Sequence, residues 1–450
     1  MRTSIARVAP LLAGAAFLAG CSGGGDGFDR NSQMGGDPVL PAQNEYLLPP
    51  MHVAKAVGWK GGATPVVPAG FTIRPLATGF QHPRTVYVLP NGDELVVESN
   101  GPGTEPVERP KDIIMPLVQS YAGAGAKGAN RITLLRDTNG DGVPDVRTTF
   151  IDHLYSPYGV ALIGGNLYVA NTDALLRFPY HTGDKKITAP PVKVIDLPGP
   201  PIDHHWTKSL AASPDGRLLY VGVGSNSNIT ENGAEAERGR AAVWEVNPTT
   251  GRYRIYAGGL RNPTSLGFEP VSRKLWATVN ERDELGPNLV PDYMTSVKEG
   301  GFYGWPYSYY GQHVDPRVQP QRPDLVATAI RPDYALSSHV APLGITFYGS
   351  ALLPGYAGGA FVGEHGSWDR GQYNGYQVVY VPFRDGHPVG KARPFVTGFI
   401  DASGQAQGRP VGVAVDKAGA LLVADDLGDT VWRVTPAART ASVTAKATGG

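Results

Sequence analysis

The stretch HHWTKSLAASPDGRLLYVG, residues 204–222, decides the fold that we expect. A polar start leads into a short apolar run, the Pro214-Asp215-Gly216 triplet supplies a tight turn, and a second apolar run follows. This order is typical of two antiparallel strands joined by a turn. The stretch therefore predicts a β-hairpin that begins at a polar segment containing two histidines.

The same pattern recurs along the chain, so that the hairpin has six copies. The others begin at His82 (HPRTVYVLPNGDELVVE), Ser156 (SPYGVALIGGNLYVAN), Arg261 (RNPTSLGFEPVSRKLWATVN), Ala341 (APLGITFYGSALLPGYAGGAFVG) and Arg409 (RPVGVAVDKAGALLVAD). Repetition at long intervals is typical of the blades of a β-propeller. Further apolar runs after the hairpins, for example Ala242–Val246 and Tyr253–Gly258, predict a third and a fourth strand in each blade.

The last blade lacks a fourth apolar run, because the residues after Pro436 are rich in Ala, Thr and Ser. Residues 71–79, FTIRPLATG, have the pattern of a fourth strand with no first three before it. We therefore predict an all-β fold, a six-bladed β-propeller of four-stranded antiparallel blades over residues 65–436, closed by this N-terminal strand. Residues 437–450 are predicted to be a disordered tail.

The composition fits a chain of many short strands and turns, with 59 glycines and 40 prolines among 450 residues. Lys plus Arg and Asp plus Glu are both 40, so the global charge does not point to nucleic acid or a membrane surface as partner. Any electrostatic attraction for a ligand must therefore be local.

The first residues predict processing and membrane attachment. Arginines precede an apolar stretch shorter than the ~20 residues that span a bilayer, and Leu18-Ala19-Gly20-Cys21 resembles the lipobox of bacterial lipoproteins. We expect a signal peptide over residues 1–21, a lipid on Cys21, the only cysteine, and a flexible tether over residues 22–64. A serine after the cysteine favours a periplasm-facing lipoprotein of the outer membrane, in the bacterial cell envelope. A chance cysteine behind an ordinary signal peptide is the alternative.

The six hairpin starts would lie at one end of the central channel, because each leads into an innermost strand of the same direction. The side chains at these starts are Arg84, His204, His205, Lys208, Arg261, Asn262, Gln407 and Arg409. Cations that converge on one funnel repel one another unless an anion binds among them or acids pair with them. The sequence favours an anion-binding site at this end of the channel, with pairing to acids as the alternative.

Several motifs resemble those of the soluble quinoprotein glucose and sorbosone dehydrogenases, six-bladed propellers that bind pyrroloquinoline quinone (PQQ) and calcium. The motifs are HWTKSL (205–210), GLRNP (259–263), GPN (286–288), GGFYGWP (300–306) and HGSWDR (365–370), the last of which resembles the sorbosone and pyranose dehydrogenase branch. The resemblance implies an enzyme that oxidises an aldose or a sugar aldehyde by hydride transfer to the quinone. An external acceptor, a periplasmic cytochrome or a quinone, would take the electrons, because the chain has no Cys-x-x-Cys-His haem motif.

The resemblance also implies roles for individual residues. His205 matches the catalytic base that takes the proton of the sugar hydroxyl, and His204 is the competing assignment. The backbone carbonyls of Gly286 and Pro287 match calcium ligands. The residues matched to cofactor binding, or expected to assist it, are Arg84, Lys208, Arg261, Asn262, Arg370 and Arg409, since cations suit the carboxylates of PQQ.

Other interpretations stay open at this point. The loop DTNGDGVPD, residues 137–145, has the oxygen spacing of a calcium loop, but it lacks a glutamate at the twelfth position and also suits an Asx-stabilised turn. The whole architecture is also used by calcium-dependent lactonases and by non-catalytic periplasmic binding propellers. Cationic rather than acidic strand starts argue against a lactonase, and His205 argues for retained chemistry.

Overall fold

The computed structural model describes residues 29–44, 52–104, 117–125 and 127–438. Six antiparallel sheets of four or five strands form the blades of a propeller, which confirms the predicted all-β, six-bladed fold. The signal peptide, the lipidation site Cys21 and the end of the tail lie outside the described residues. Within the described ranges, no helix has the length and hydropathy of a membrane span.

The strands follow the chain in blade order, with the first strand of each blade innermost. Two short segments come first, β1 (Met34–Gly35) and β2 (Phe71–Thr78). Blade one has β3 (Pro83–Val88), β4 (Glu94–Glu98), β5 (Arg131–Arg136) and β6 (Val146–Ile151). Blade two has β7 (Gly159–Ile163), β8 (Asn166–Ala170), β9 (Ala174–Pro179) and β10 (Val192–Asp196). Blade three has β11 (Lys208–Ala212), β12 (Leu219–Val223), β13 (Ala242–Val246) and β14 (Tyr253–Gly258).

The second half of the chain adds three more blades and a few short elements. Blade four has β15 (Pro263–Phe268), β16 (Leu275–Val279), β17 (Pro291–Ser296) and, after an insertion with β18 (Ser308–Tyr309) and β19 (His313–Val314), β20 (Tyr334–Ser338). Blade five has β21 (Pro342–Tyr348), β22 (Gly359–Glu364), β23 (Gln377–Val381), the pair β24 (Phe383–Arg384) and β25 (His387–Pro388), and β26 (Arg393–Val396). Blade six has β27 (Pro410–Val415), β28 (Leu421–Asp425) and β29 (Thr430–Pro436). Helical turns span Arg30–Gln33, Ala234–Glu237 and Pro323–Val326.

The hairpin of residues 204–222 shows why each repeat folds. β11 and β12 pair in register, and Ser213 Oγ accepts the backbone N–H of Leu218 at 2.9 Å inside the turn. Gly216 has φ +68°, a left-handed conformation that costs glycine little. All five residues of β12 are buried, because the second strand of a blade packs between neighbouring blades on both of its faces. Apolar burial of these second strands forms the core between blades.

The sixth blade joins strands from both ends of the propeller. β2 pairs antiparallel with β29, with Phe71 opposite Pro436 and Thr78 opposite Thr430. The Phe71 ring also packs edge-on against the rings of Tyr356 and Phe395. The outer strand of this sheet therefore comes from the N-terminal side of the first blade.

The structure departs from the flexible tether predicted for residues 22–64 wherever it describes that segment. β1 adds a fifth strand to the fourth blade by pairing with β20. The indole Nε1 of Trp59 donates a hydrogen bond of 2.6 Å to Asp425 Oδ2 on the sixth blade. Composition suggested a tether because the segment lacks apolar periodicity. A few anchoring side chains are nevertheless enough to hold it on the propeller.

One side chain spans the central channel. Tyr158, just before β7, donates from its hydroxyl to the carbonyl oxygen of Leu343 in β21 at 2.9 Å, and it is buried. The second and fifth blades face each other in a ring of six, so this bond crosses the channel from wall to wall. The starts of the inner strands therefore lie around a funnel whose floor includes Tyr158.

Closure of the ring by the N-terminal strand stays a prediction, and two truncations test it. Deleting residues 1–79 removes β2 and exposes the edge of β29, whereas deleting residues 1–64 removes the same preceding segment and keeps β2. We expect the longer deletion to melt at least ~5 °C below the shorter one, because it also loses the buried Leu76. Thermal unfolding followed by circular dichroism measures the difference, and equal melting temperatures would contradict closure.

Candidate active site

The funnel brings together the side chains at the starts of the inner strands. We use the term channel mouth for six of the side chains near these starts: His82, Arg84, His205, Asn262, His365 and Arg409. Trp206 connects its two sides, because its ring lies 5.8 Å from the guanidinium of Arg84 and packs edge-on against Tyr158. These contacts bring together the inner-strand starts of the first three blades.

His205 is held in the state that a general base needs. Its Nδ1 lies 2.8 Å from the carbonyl oxygen of Ser225, which can only accept a hydrogen bond, so Nδ1 carries the proton and Nε2 carries the lone pair. Burial, and then the neighbouring Arg261 and His204, lower the pKa of His205 well below its usual value. The half-buried imidazole is therefore neutral at pH 7.

The backbone around His205 is closely packed on one side. A Cβ atom at Gly224 would lie 2.5 Å from His205 Cβ and 2.5 Å from Asn262 Oδ1, so only glycine fits there. Asn262 Oδ1 is buried and has no hydrogen-bond partner among the described residues. His204 is exposed, and its ring packs edge-on against that of His205 at 4.7 Å. The geometry thus favours His205 over His204 as the base.

Arg261 is placed differently from the direct cofactor contact that the sequence suggested. Its guanidinium donates to the carbonyl oxygen of Glu281 at 2.7 Å and to Asn228 Oδ1 at 3.0 Å, and it lies 3.6 Å from Asp283. Its Nε donates to the carbonyl oxygen of Asn228 as well. Protein acceptors therefore use the donors of Arg261, which holds the loop after β16 in place.

Asp426 is the centre of a buried charge cluster that the sequence analysis missed. Arg84 Nη1 pairs with it closely, His365 Nε2 lies 3.0 Å from Oδ2, and His82 Nε2 lies at 3.8 Å. Burial opposes ionisation of Asp426, but the two histidines and the guanidinium hold its pKa well below the usual range. Asp426, which follows β28, therefore neutralises Arg84. At Arg84 the structure thus has pairing with an acid, the alternative to an anion-binding site that the sequence left open.

Lys208 and Arg370 lie in the walls and not at the surface of the funnel. Lys208 is wholly buried and donates to the carbonyl oxygen of Trp206 at 3.0 Å. Burial and then Arg240 lower the pKa of Lys208 to about 7. Arg370 donates to Ser338 Oγ at 2.6 Å and also bonds Asn288. Both cations therefore have protein acceptors.

Arg409 is the predicted cation that best suits an anion. Its Nε is buried with no hydrogen-bond partner in the part of the chain that the structure describes, and the same holds for Arg84 Nε. The guanidinium of Arg409 lies 5.8 Å from the ring centre of Tyr376. The neighbouring Gln407 instead donates to the carbonyl oxygen of Gly398 at 3.2 Å.

A group of side chains that could hold a metal ion lies beside the Gly286 carbonyl, one of the two matched to calcium. Ligand atoms of Asp283, His339 and Asp369 lie within 4.8 Å of one another. His339 Nδ1 is 3.2 Å from Asp283 Oδ1, and its Nε2 is 3.3 Å from the carbonyl oxygen of Gly286. Burial would lower the pKa of His339, but the Asp283 carboxylate raises it. Asp369 stands inside the HGSWDR motif, the one sequence signal for this cluster.

The loop of residues 137–145 has the geometry of an Asx-stabilised turn. The carboxylate of Asp137 accepts the backbone N–H groups of Gly140 at 2.7 Å and Gly142 at 2.6 Å. These bonds lower the pKa of Asp137, although its slight burial acts in the opposite direction. The turn therefore accounts for the oxygen spacing.

Known proteins resemble the chain in both sequence and fold. Residues 164–367 match the family model described as Glucose / Sorbosone dehydrogenase, and residues 321–437 match one described as TrAA12-like. These matches confirm the resemblance that the motifs predicted. An uncharacterized protein of Borreliella burgdorferi is 28% identical over 239 residues, which are 51% of this chain and 60% of that protein. The match thus spans less than two thirds of the relative's length.

Solved structures confirm the fold. The PQQ domain of pyranose dehydrogenase from Coprinopsis cinerea, in its holo form, is 19% identical and covers 85% of this chain and 100% of that chain, with a TM-score of 0.67. A calcium structure of the Trichoderma reesei carbohydrate-active enzyme of family AA12 is 18% identical and covers 86% and 99%, also with a TM-score of 0.67. At such identity the likeness shows the fold, and the activity must be argued from the site.

Proposed function

We propose that the protein is a PQQ- and calcium-dependent dehydrogenase that oxidises an aldose or a sugar aldehyde. The observation that carries the proposal is the state of His205, a neutral imidazole whose Nδ1 is bound to a carbonyl and whose Nε2 has a lone pair at the channel mouth. Such a group can take the proton of a sugar hydroxyl at neutral pH. The family match to glucose and sorbosone dehydrogenases supports the same chemistry.

The channel mouth offers donors for a carboxylate-bearing cofactor, chiefly at Arg409, because Asp426 already pairs with Arg84. Arg84 Nε and Arg409 Nε are buried donors without partners among the described residues, and Asn262 Oδ1 is a buried acceptor of the same kind. Buried polar atoms in this state gain most from a ligand that completes their hydrogen bonds. Arg84 Nε and Arg409 Nε would donate to carboxylates of PQQ, and Asn262 Oδ1 would accept from an N–H or O–H group of the ligand, while Arg261, Lys208 and Arg370 would support the walls. PQQ supplies an electrophilic quinone that accepts the hydride.

The cluster beside Gly286 fits calcium through its oxygen atoms. The carboxylates of Asp283 and Asp369 and the carbonyl of Gly286 are hard ligands of the kind that calcium prefers. The carbonyl of Pro287, matched to calcium by the resemblance, lies 3.3 Å from Ser338 Oγ. His339 is the one nitrogen group among them, and its contact with Asp283 orders that carboxylate. Calcium there would polarise the quinone oxygen.

The protein itself supplies proton transfer, orientation and exclusion of water. His205 Nε2 accepts the hydroxyl proton while Ser225 keeps Nδ1 protonated, so the ring stays in one orientation. Arg261, adjacent and cationic, disfavours the imidazolium and thereby favours return of the proton to solvent. Tyr158 spans the floor of the channel and limits access of water from below.

A metal-dependent hydrolase is the second candidate, and the Asp283, His339 and Asp369 cluster is the observation that favours it. A lactonase would use the metal without a quinone. Hydrolysis of lactones by the calcium-loaded protein in the absence of PQQ would support this candidate instead.

The proposal is tested by reconstitution. Apoprotein stripped with a chelator is titrated with PQQ in the presence and absence of calcium, and the reduction of a dye is followed across a panel of aldoses and sugar aldehydes. We expect sugar-dependent dye reduction only with both PQQ and calcium, because Arg261, next to Asn262 of the mouth, lies 3.6 Å from Asp283 of the oxygen cluster. Activity that is indifferent to PQQ would contradict the proposal.

A second experiment separates the base from the binding groups. His205→Ala should lower turnover by roughly 10²–10⁴-fold, the usual effect of losing a general base, with PQQ affinity nearly unchanged. His204→Ala is the matched control and should keep turnover. Because the pKa of His205 is lowered, kcat/KM of the wild type should stay constant as the pH falls from 7 to the usual histidine pKa of ~6.5. If only His204→Ala loses turnover, the base is His204 and the assignment to His205 is wrong.

We also propose that the mature protein is attached by a lipid on Cys21 to the periplasmic side of the bacterial cell envelope, in the outer membrane, and passes electrons to an external acceptor. The lipobox sequence supports this placement. Cys21→Ser should move the protein from the membrane fraction to the soluble fraction with sugar oxidation intact. A variant that stays in the membrane after a salt wash would contradict lipid attachment.

A further inference from the structure

An arm of the chain, residues 29–44, lies outside the repeated blades and is fixed to them at several points. β1 in this arm pairs with β20 at the outer edge of the fourth blade. Near one end, Arg30 Nη1 donates to the carbonyl oxygen of Tyr373 at 2.6 Å. At the other end, the backbone N–H of Asn44 donates to the carbonyl oxygen of Leu285 at 2.9 Å. The arm therefore runs from the fifth blade to the loop that carries the calcium-matched carbonyls.

Gln33 reaches from this arm into the interior of the propeller. Its side chain has no exposed surface. Its Nε2 donates to the carbonyl oxygen of Asn288, and its Oε1 accepts from Ser338 Oγ at 3.1 Å and from Ser337 Oγ at 3.2 Å. The amide is thus a donor on one side and an acceptor on the other, and both sides are satisfied.

The partners of Gln33 are also the partners of Arg370, which we assign to the wall of the cofactor site. Arg370 donates to Ser338 Oγ at 2.6 Å through Nη1 and to Asn288 Oδ1 at 2.6 Å through Nη2. Ser338 Oγ lies 3.3 Å from the carbonyl oxygen of Pro287. One buried amide therefore connects the turn of residues 286–288 with Arg370, across the fourth and fifth blades.

We propose that Gln33 is a positioning residue of the cofactor site, through which the arm holds the turn of residues 286–288 in place beside Arg370. The inference rests on the proposed function, because it takes the turn of residues 286–288 and Arg370 as parts of the calcium and PQQ site. Without the amide, the carbonyl of Asn288 loses a buried donor, and the turn relaxes to find another. Misplaced carbonyls then bind calcium and quinone less well.

A purely structural role of Gln33 predicts a different result for other contacts of the arm. If Gln33 only sealed the arm against the propeller, loss of any comparable arm contact would have the same effect. Gln43 provides that comparison, because its Nε2 donates to Tyr309 Oη and to the carbonyl oxygen of Val314, both at 3.0 Å. These partners belong to the β18–β19 hairpin, so Gln43 is fixed to a different segment from the turn of residues 286–288 that Gln33 bonds.

The test compares full-length wild type, Gln33→Ala, Gln33→Glu and Gln43→Ala. Gln33→Glu keeps the size and the acceptor of the side chain but places an oxygen against the carbonyl of Asn288. Apoproteins are titrated separately with calcium and with PQQ plus calcium, using protein fluorescence at a temperature at which all are folded. Their melting temperatures are measured in parallel.

We expect both Gln33 variants to bind PQQ at least ~10-fold more weakly than the wild type, the usual effect of losing one buried hydrogen bond to a binding group. Gln43→Ala should bind PQQ with an affinity within about twofold of the wild type, even if its melting temperature falls as far as those of the Gln33 variants. Wild-type affinity in the Gln33 variants would overturn the inference and leave the proposed function standing. Equal weakening in Gln43→Ala would also overturn it. A wild type that binds neither ligand would overturn both.

Discussion

A buried carboxylate, Asp426, joins three blades at the channel mouth. It lies after the second strand of the sixth blade and pairs with Arg84 from the first blade and His365 from the fifth. A charge removed from water is stable only with close partners of opposite sign. The inner strands are therefore held in one arrangement by electrostatics as well as by apolar packing between blades, and the groups around the mouth keep fixed positions.

The repeated pattern made the propeller predictable, because each hairpin combines apolar alternation with a local turn and both signals are short-range. Residues 204–222 became β11 and β12 with the turn where Gly216 stands. The arm of residues 29–44 was not predictable in this way. Gln33 is held by hydrogen bonds to residues about 300 positions later, and polar contacts of that range leave no periodicity in the sequence.

The site was predictable in part, for a similar reason. Histidine and cations at strand starts could be aligned with one another, which located His205 and Arg409 at the mouth. Their acid partners could not be aligned, because Asp283 and Asp426 follow second strands in loops of different length. The expected surplus of positive charge is therefore largely compensated inside the protein. A count of cations at the strand starts overstates the positive electrostatic potential at that end of the channel when acidic residues in neighbouring loops pair with those cations.

The hydroxyl of Tyr158, bonded across the channel to Leu343, restricts the passage of reactants along the propeller axis. A propeller with an open axis could admit one reactant from each end. With the axis spanned, the sugar and the electron acceptor of the proposed reaction would have to reach the mouth from the same side and occupy it in turn. Such an enzyme would release its oxidised product before the acceptor docks, and its steady-state kinetics would follow a ping-pong scheme.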